Sequence, residues 1–244
     1  MPSGARESLG TNADKLRAAL ELGCRLQFNF SGFFLIIGVM VRSASVAGLA
    51  IVVYNCASIE ALLAGSLFLG RPTRRKLASF YCAGLGLPVV VVVWCLIEQM
   101  SHPIVPKWDW IASSAACAMG VNIYEAWSLA RFRREGSRLV EAMAPVVRST
   151  LPYSVAVLVA GFVTLGTHSV WVDVAIGVAI IAGHIEAVPL LRRLGAFDVA
   201  ASGHGGSAAY QLLLSYPRLG VLTSSAWQEA VESVRRRSFF RALR

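Results

Sequence analysis

Residues 45–70 read SVAGLAIVVYNCASIEALLAGSLFLG, an apolar run broken only by small residues and by Tyr54, Asn55, Ser58 and Glu60. At about 1.5 Å of rise per residue, such a run covers the roughly 30 Å of hydrocarbon in a bilayer. That pattern marks a membrane-crossing helix. Comparable runs precede and follow it, and the chain reads as six spans at about 26–43, 44–70, 78–98, 108–130, 148–167 and 170–192. The expected architecture is an all-α, six-helix transmembrane bundle. Composition agrees: 56% of the 244 residues are hydrophobic, 15% are charged, and the mean hydropathy is +0.60.

Lys and Arg set the orientation. Four precede span one, four join spans two and three, five lie between spans four and five, and eight follow span six. Only Arg42 and Lys107 fall on the other side. Cytoplasmic loops retain positive charge, so both termini are expected in the cytoplasm and the chain in the inner (cytoplasmic) membrane. The net charge of +9 is thereby a matter of topology, and no nucleic-acid partner is expected. Residues 1–25 lack the apolar middle of a secretory signal; Asn12 is expected to cap a short helix over 13–25 lying on the inner surface. Three regions follow: a cytoplasmic N-terminal amphipathic segment (1–25), the six-span domain (26–193) and a short cytoplasmic tail (194–244). The tail carries a Gly-rich linker and then a basic amphipathic helix, with Ser225 and Gln228 as a capping box.

Spans one and two are separated by almost nothing around Arg42 to Ala44, which predicts a tight antiparallel pair. Val89 to Val93 in span three predict a lipid-facing helix, and Ala112, Ser113, Ala115, Ala116, Ala118 and Gly120 predict close helix contact along span four. Trp108, Trp110 and Trp171 are expected at the outer interface. The five cysteines show no paired spacing and read as small packing residues.

Two stretches resemble the cation diffusion facilitator (cation efflux) family. One is the run from Ser45 quoted above. The other is GSRLVEAMAPVVRSTLPYSVAVLVAGFVTLGTHSVWVDVAIGVAII, which includes Trp171-Val172-Asp173 at the entry to span six. With RFRRE after span four, the resemblance covers roughly 25–195. It implies six spans, cytoplasmic termini, a homodimer and metal–proton antiport. It further implies a metal site of four ligands, two on span two and two on span five, falling here on Tyr54 and Ser58 and on Val146 and Thr150. None of the four is a carboxylate or an imidazole, and the tail lacks the alternating strands of the family's cytoplasmic metal-sensing domain. No metal and no cofactor is therefore expected.

Polar groups remain inside the spans, where they are costly and suggest function. Tyr54, Asn55, Ser58 and Glu60 lie on span two, Asn122 and Glu125 on span four, Arg148, Thr150 and Tyr153 at the start of span five, and His184 and Glu186 on span six. All fall near or on the cytoplasmic side of the midplane. They predict a polar cavity open to the cytoplasm that takes a small polar metabolite. In that cavity Glu60 and Glu125 are the proton-exchanging carboxyls, Tyr54 and Tyr153 the hydroxyl donors, and Asn55, Ser58, Asn122, Arg148, Thr150 and His184 the binding groups. His184 and Glu186 lie about 200° apart around their helix and cannot both reach one ion.

Three functions fit. The foremost is a membrane-embedded biosynthetic enzyme whose carboxyls drive an acid-dependent reaction, such as nitrosation or diazotisation of an amine. The alternative is a divergent proton-coupled transporter of cations or small molecules. The third is a non-transporting partner subunit. Beyond the lipid bilayer, the expected partners are a small polar metabolite and a second copy of the chain.

Overall fold

The computed structural model describes residues 3–134, 138–184 and 187–196, and within them every element is helical. The helices are α1 (Ser3–Val41), α2 (Ala44–Phe68), α3 (Arg71–Gly84), α4 (Gly86–Ser101), α5 (Trp108–Arg134), α6 (Arg138–Thr167), α7 (Val170–His184) and α8 (Ala187–Ala196). Pro88 accounts for the break between α3 and α4. It lacks an N–H, and its ring crowds the carbonyl four residues back, at Gly84, where α3 ends.

Five helical stretches are long and apolar enough to cross a membrane: Lys15–Val41, Ala44–Gly65, Arg71–Ser101, Thr150–Thr167 and Val170–Ala196. The expected fourth span also folds as a helix, α5. It is not among the five because Asp109, Asn122, Glu125 and the serines at 113 and 114 dilute its apolar character.

The all-round apolarity of the quoted run has a structural consequence: α2 is the centre of the bundle. Of its span, 89% is buried, against 22% to 44% for the other four. It contacts every other helix, from α1 and α7 on its N-terminal half to α8 at the far end. Two glycines allow the closest approaches. A Cβ on Gly38 of α1 would lie 2.7 Å from the Ala47 nitrogen, and one on Gly177 of α7 would lie 2.7 Å from the Ala44 Cβ.

The turn from α1 to α2 is as short as the sequence suggests. Arg42 adopts a left-handed backbone (φ 53°), Ser43 N donates to Gly38 O at 2.9 Å, and Ser43 then caps α2 by accepting from Val46 N at 3.2 Å. The N-terminal segment differs from its expectation. Asn12 does not begin a helix; α1 runs unbroken from Ser3 to Val41, so residues 13–25 are its continuation rather than a separate surface helix. In α4, Val90 and Val93 point outward while Val92 is fully buried. The small residues of α5 divide between two faces: Ala115 and Ala118 are buried, and the Ala112 nitrogen approaches Gly161 of α6, whereas Ser113, Ala116 and Gly120 are exposed. Trp108, Trp110 and Trp171 all lie on the outside. The tail linker and its basic helix lie outside the described residues.

Candidate functional site

Glu60 and Glu125, 65 positions apart in sequence, meet in the interior where α1, α2 and α5 converge. The local reason is helical spacing. Cys56 and Glu60 are one turn apart on α2, Asn122 and Glu125 share a face of α5, and Gly23 and Gln27 share a face of α1. Glu60 is 0% exposed and Glu125 5%, and ligating atoms of Cys56, Glu60 and Glu125 all lie within 4.8 Å of one another.

Donors are scarce at this point. Cys56 Sγ donates to Glu60 Oε1 at 3.6 Å, and Gln27 Nε2 donates to Glu125 Oε2 and lies 3.5 Å from Cys56 Sγ. Glu60 Oε2 and Gln27 Oε1 have no hydrogen-bond partner. Two acceptor-only carboxylates cannot satisfy each other, and two like charges in a dry interior repel strongly. A proton or a cation held between the two carboxyls removes both difficulties. Gly23 keeps the spot uncrowded, since a Cβ there would stand 3.2 Å from Glu125 Oε1 and 4.0 Å from Glu60 Oε2.

The other expected site residues are distributed differently. Asn55 and Asn122 are buried, and neither atom of either amide has a partner. They precede Glu60 and Glu125 on the same helices by about 7 and about 4 Å of helix rise. Tyr54 and Ser58 serve the scaffold: Tyr54 OH donates to Tyr81 O at 3.2 Å and its ring packs edge-on to Phe28, while Ser58 Oγ donates to Tyr54 O at 2.8 Å. Thr150 is buried on α6, and its carbonyl accepts from Ser154 Oγ at 3.4 Å. Tyr153 and His184 form a second group, with ring centroids 4.6 Å apart. His184 Nδ1, placed 2.9 Å from Ile180 O, is thereby assigned the proton, leaving Nε2 as an acceptor. Arg148 lies on α6, but its side chain and Glu186 fall outside the described residues.

The carboxyl pair is packed against Gln27 and Cys56. A cavity of about 440 Å³ lies at the start of α5, among Lys107, Trp108, Asp109, Thr164 and His168. Trp108 and Glu125 are separated by about 25 Å of helix.

A further buried carboxylate, present in the sequence only as the last residue of Trp171-Val172-Asp173, has a structural role. Asp173, at the start of α7, accepts from Ser43 Oγ and Ala44 N at 2.7 Å, from Ser45 N at 3.3 Å, from Ser45 Oγ, and from Gln99 Nε2 at 2.6 Å. It ties the start of α2 to α4 and α7. Gln27 and Cys56 were not among the expected site residues. Their signal was an amide inside the first apolar run and a thiol one turn before a buried glutamate.

No known family model, curated protein or solved structure matches the chain, so membership of the cation diffusion facilitator family is not supported. What stands is that the described residues are all helical, with five helical stretches suited to a bilayer.

Proposed function

We propose that the chain is a proton-coupled membrane carrier whose coupling site is the Glu60–Glu125 pair. It crosses the inner membrane six times, α5 being the sixth crossing, with both termini in the cytoplasm. The observation that carries this reading is the adjacency of two buried carboxyls on separate helices, with an orphaned oxygen on one of them. A shared proton satisfies the pair and its departure does not, so protonation is coupled to how closely α2 and α5 pack. That coupling is the physical requirement of proton-driven transport. Asn55 and Asn122, buried and unpartnered on the same two helices, offer amide donors and acceptors to a small polar cargo.

The test needs no knowledge of the cargo. Dicyclohexylcarbodiimide attacks protonated carboxyls in apolar surroundings. Wild-type protein in proteoliposomes is expected to take up the label at Glu60 or Glu125, read by peptide mass spectrometry, and to conduct protons down an imposed gradient. Glu60→Gln and Glu125→Gln should lose the flux. Absence of label at both positions, with flux equal to that of protein-free liposomes, overturns the proposal.

The membrane-embedded enzyme remains as a second reading because of the Tyr153–His184 pair, in which a phenol and an imidazole stand together in the interior. This arrangement suits general acid–base work on a small metabolite. Loss of one pathway product in a deletion strain, restored by wild type but not by His184→Ala, supports it; an unchanged metabolite profile removes it.

A further inference from the structure

The groups around Glu60 offer more than a place for a proton. Cys56 contributes a sulfur, Glu60 and Glu125 contribute oxygens, and the three donor atoms fit inside a 4.8 Å span, as three ligands of one ion do. Gln27 supplies an independent observation. It comes from a third helix, it is 1% exposed, its amide nitrogen is directed at both Cys56 and Glu125, and its carbonyl oxygen has no partner. Nitrogen and oxygen of an amide differ little in shape, so turning the amide over presents that oxygen to the same point. Gly23, one turn before Gln27, leaves the neighbouring space free of a side chain.

We infer that Cys56, Glu60, Glu125 and the Gln27 carbonyl form a binding site for a divalent transition-metal ion of borderline softness, such as zinc or cobalt. Four donors from three helices match the tetrahedral number these ions favour, and a thiolate among them discriminates against magnesium and calcium, which prefer six or more oxygens. Charge balances when the Cys56 thiol releases its proton and the carboxyl pair releases the one it shares, both to water. A site of charge −1 then becomes a complex of charge −1 with both carboxylates free to ligate, and two protons leave for each ion that enters. The inference deepens the carrier reading and rests on it, because the same carboxyls exchange the protons.

Cobalt(II) alone is the probe, titrated into the full-length protein in detergent micelles. Binding is expected to produce a thiolate-to-cobalt charge-transfer band that saturates at one ion per chain, is displaced by zinc and is indifferent to excess magnesium. Cys56→Ser should abolish the band, and Glu60→Gln should weaken binding at least about tenfold. Carbodiimide labelling is repeated on Cys56→Ser, where wild-type labelling shows that the carboxyl pair is still assembled. A missing band in wild type, or a band that survives Cys56→Ser, overturns the metal site. If labelling persists in those cases, the proton-exchange reading stands alone; if labelling itself is absent, that reading fails separately.

Discussion

The bundle holds its buried carboxyl groups in two opposite ways. Asp173 is met by five donors, from two serines, two backbone amides and Gln99, and no other carboxylate competes for them. Glu60 and Glu125 face each other with one amide and one thiol between them, and an oxygen is left over. A carboxylate with a full set of donors is a fastener, whereas a pair short of donors is a place waiting for a proton or an ion. Both lie against α2, one at its first residues and one in its second half, so a single helix carries the fixed end and the responsive one.

Removing the fastener should have the largest effect on stability. Asp173→Ala removes the shared acceptor of two hydroxyls, two amides and the Gln99 nitrogen, of which the last keeps the Arg42 carbonyl, and hydrogen bonds to a charged group each contribute about 1.5 to 3 kcal/mol before non-additivity. The expected loss is about 3 to 5 kcal/mol, read by denaturant unfolding in micelles. Asp173→Asn should recover only part of it, because one acceptor oxygen becomes an NH₂ facing donors. A loss under about 1 kcal/mol would erase the contrast between the two regions.

The carboxyl pair should respond in the reverse sense. Glu60→Gln adds an NH₂ donor beside acceptors that have too few, so folding stability is expected to hold or to rise by about 1 kcal/mol while proton flux disappears. The same holds for Glu125→Gln. A variant that loses stability and flux together would mean that the pair is merely structural.

Much of this was legible before any coordinates. The length and apolarity of 45–70 marked a span; that α2 is the central helix depends on how the helices pack. Glu60 and Glu125 stood out because carboxyls are expensive where they lie. Their adjacency was not legible, because it depends on which helices pack together, and sequence spacing constrains only residues within one helix. Cys56 and Gln27 were passed over for the same reason: a thiol and an amide gain chemical meaning only from neighbours on other helices. Asp173 was visible only as part of a resemblance, while its role comes from the two-residue turn before α2 that brings Ser43 and Ser45 to it. Sequence spacing likewise does not reveal that the Tyr54 and Ser58 hydroxyls donate to nearby backbone carbonyls, because the Tyr81 acceptor belongs to another helix.

Tyr54 gives the smallest expected effect and the sharpest test of where the working region ends. Its hydroxyl donates to the Tyr81 carbonyl at 3.2 Å, and Gly84 makes room for it, because a Cβ at that glycine would overlap the phenol oxygen. Tyr54→Phe removes one neutral hydrogen bond and keeps the ring packed between Phe28 and α3, a change of about 0.5 to 1.5 kcal/mol. Carbodiimide labelling and proton flux should be unaltered, because the phenol is engaged with Tyr81 and Phe28, more than one helical turn from Glu60. Flux reduced in proportion to the stability change is compatible with a scaffold residue. A large loss of flux with stability intact would extend the responsive region of α2 by more than one turn and bring the Tyr54 hydroxyl into the path of the proton.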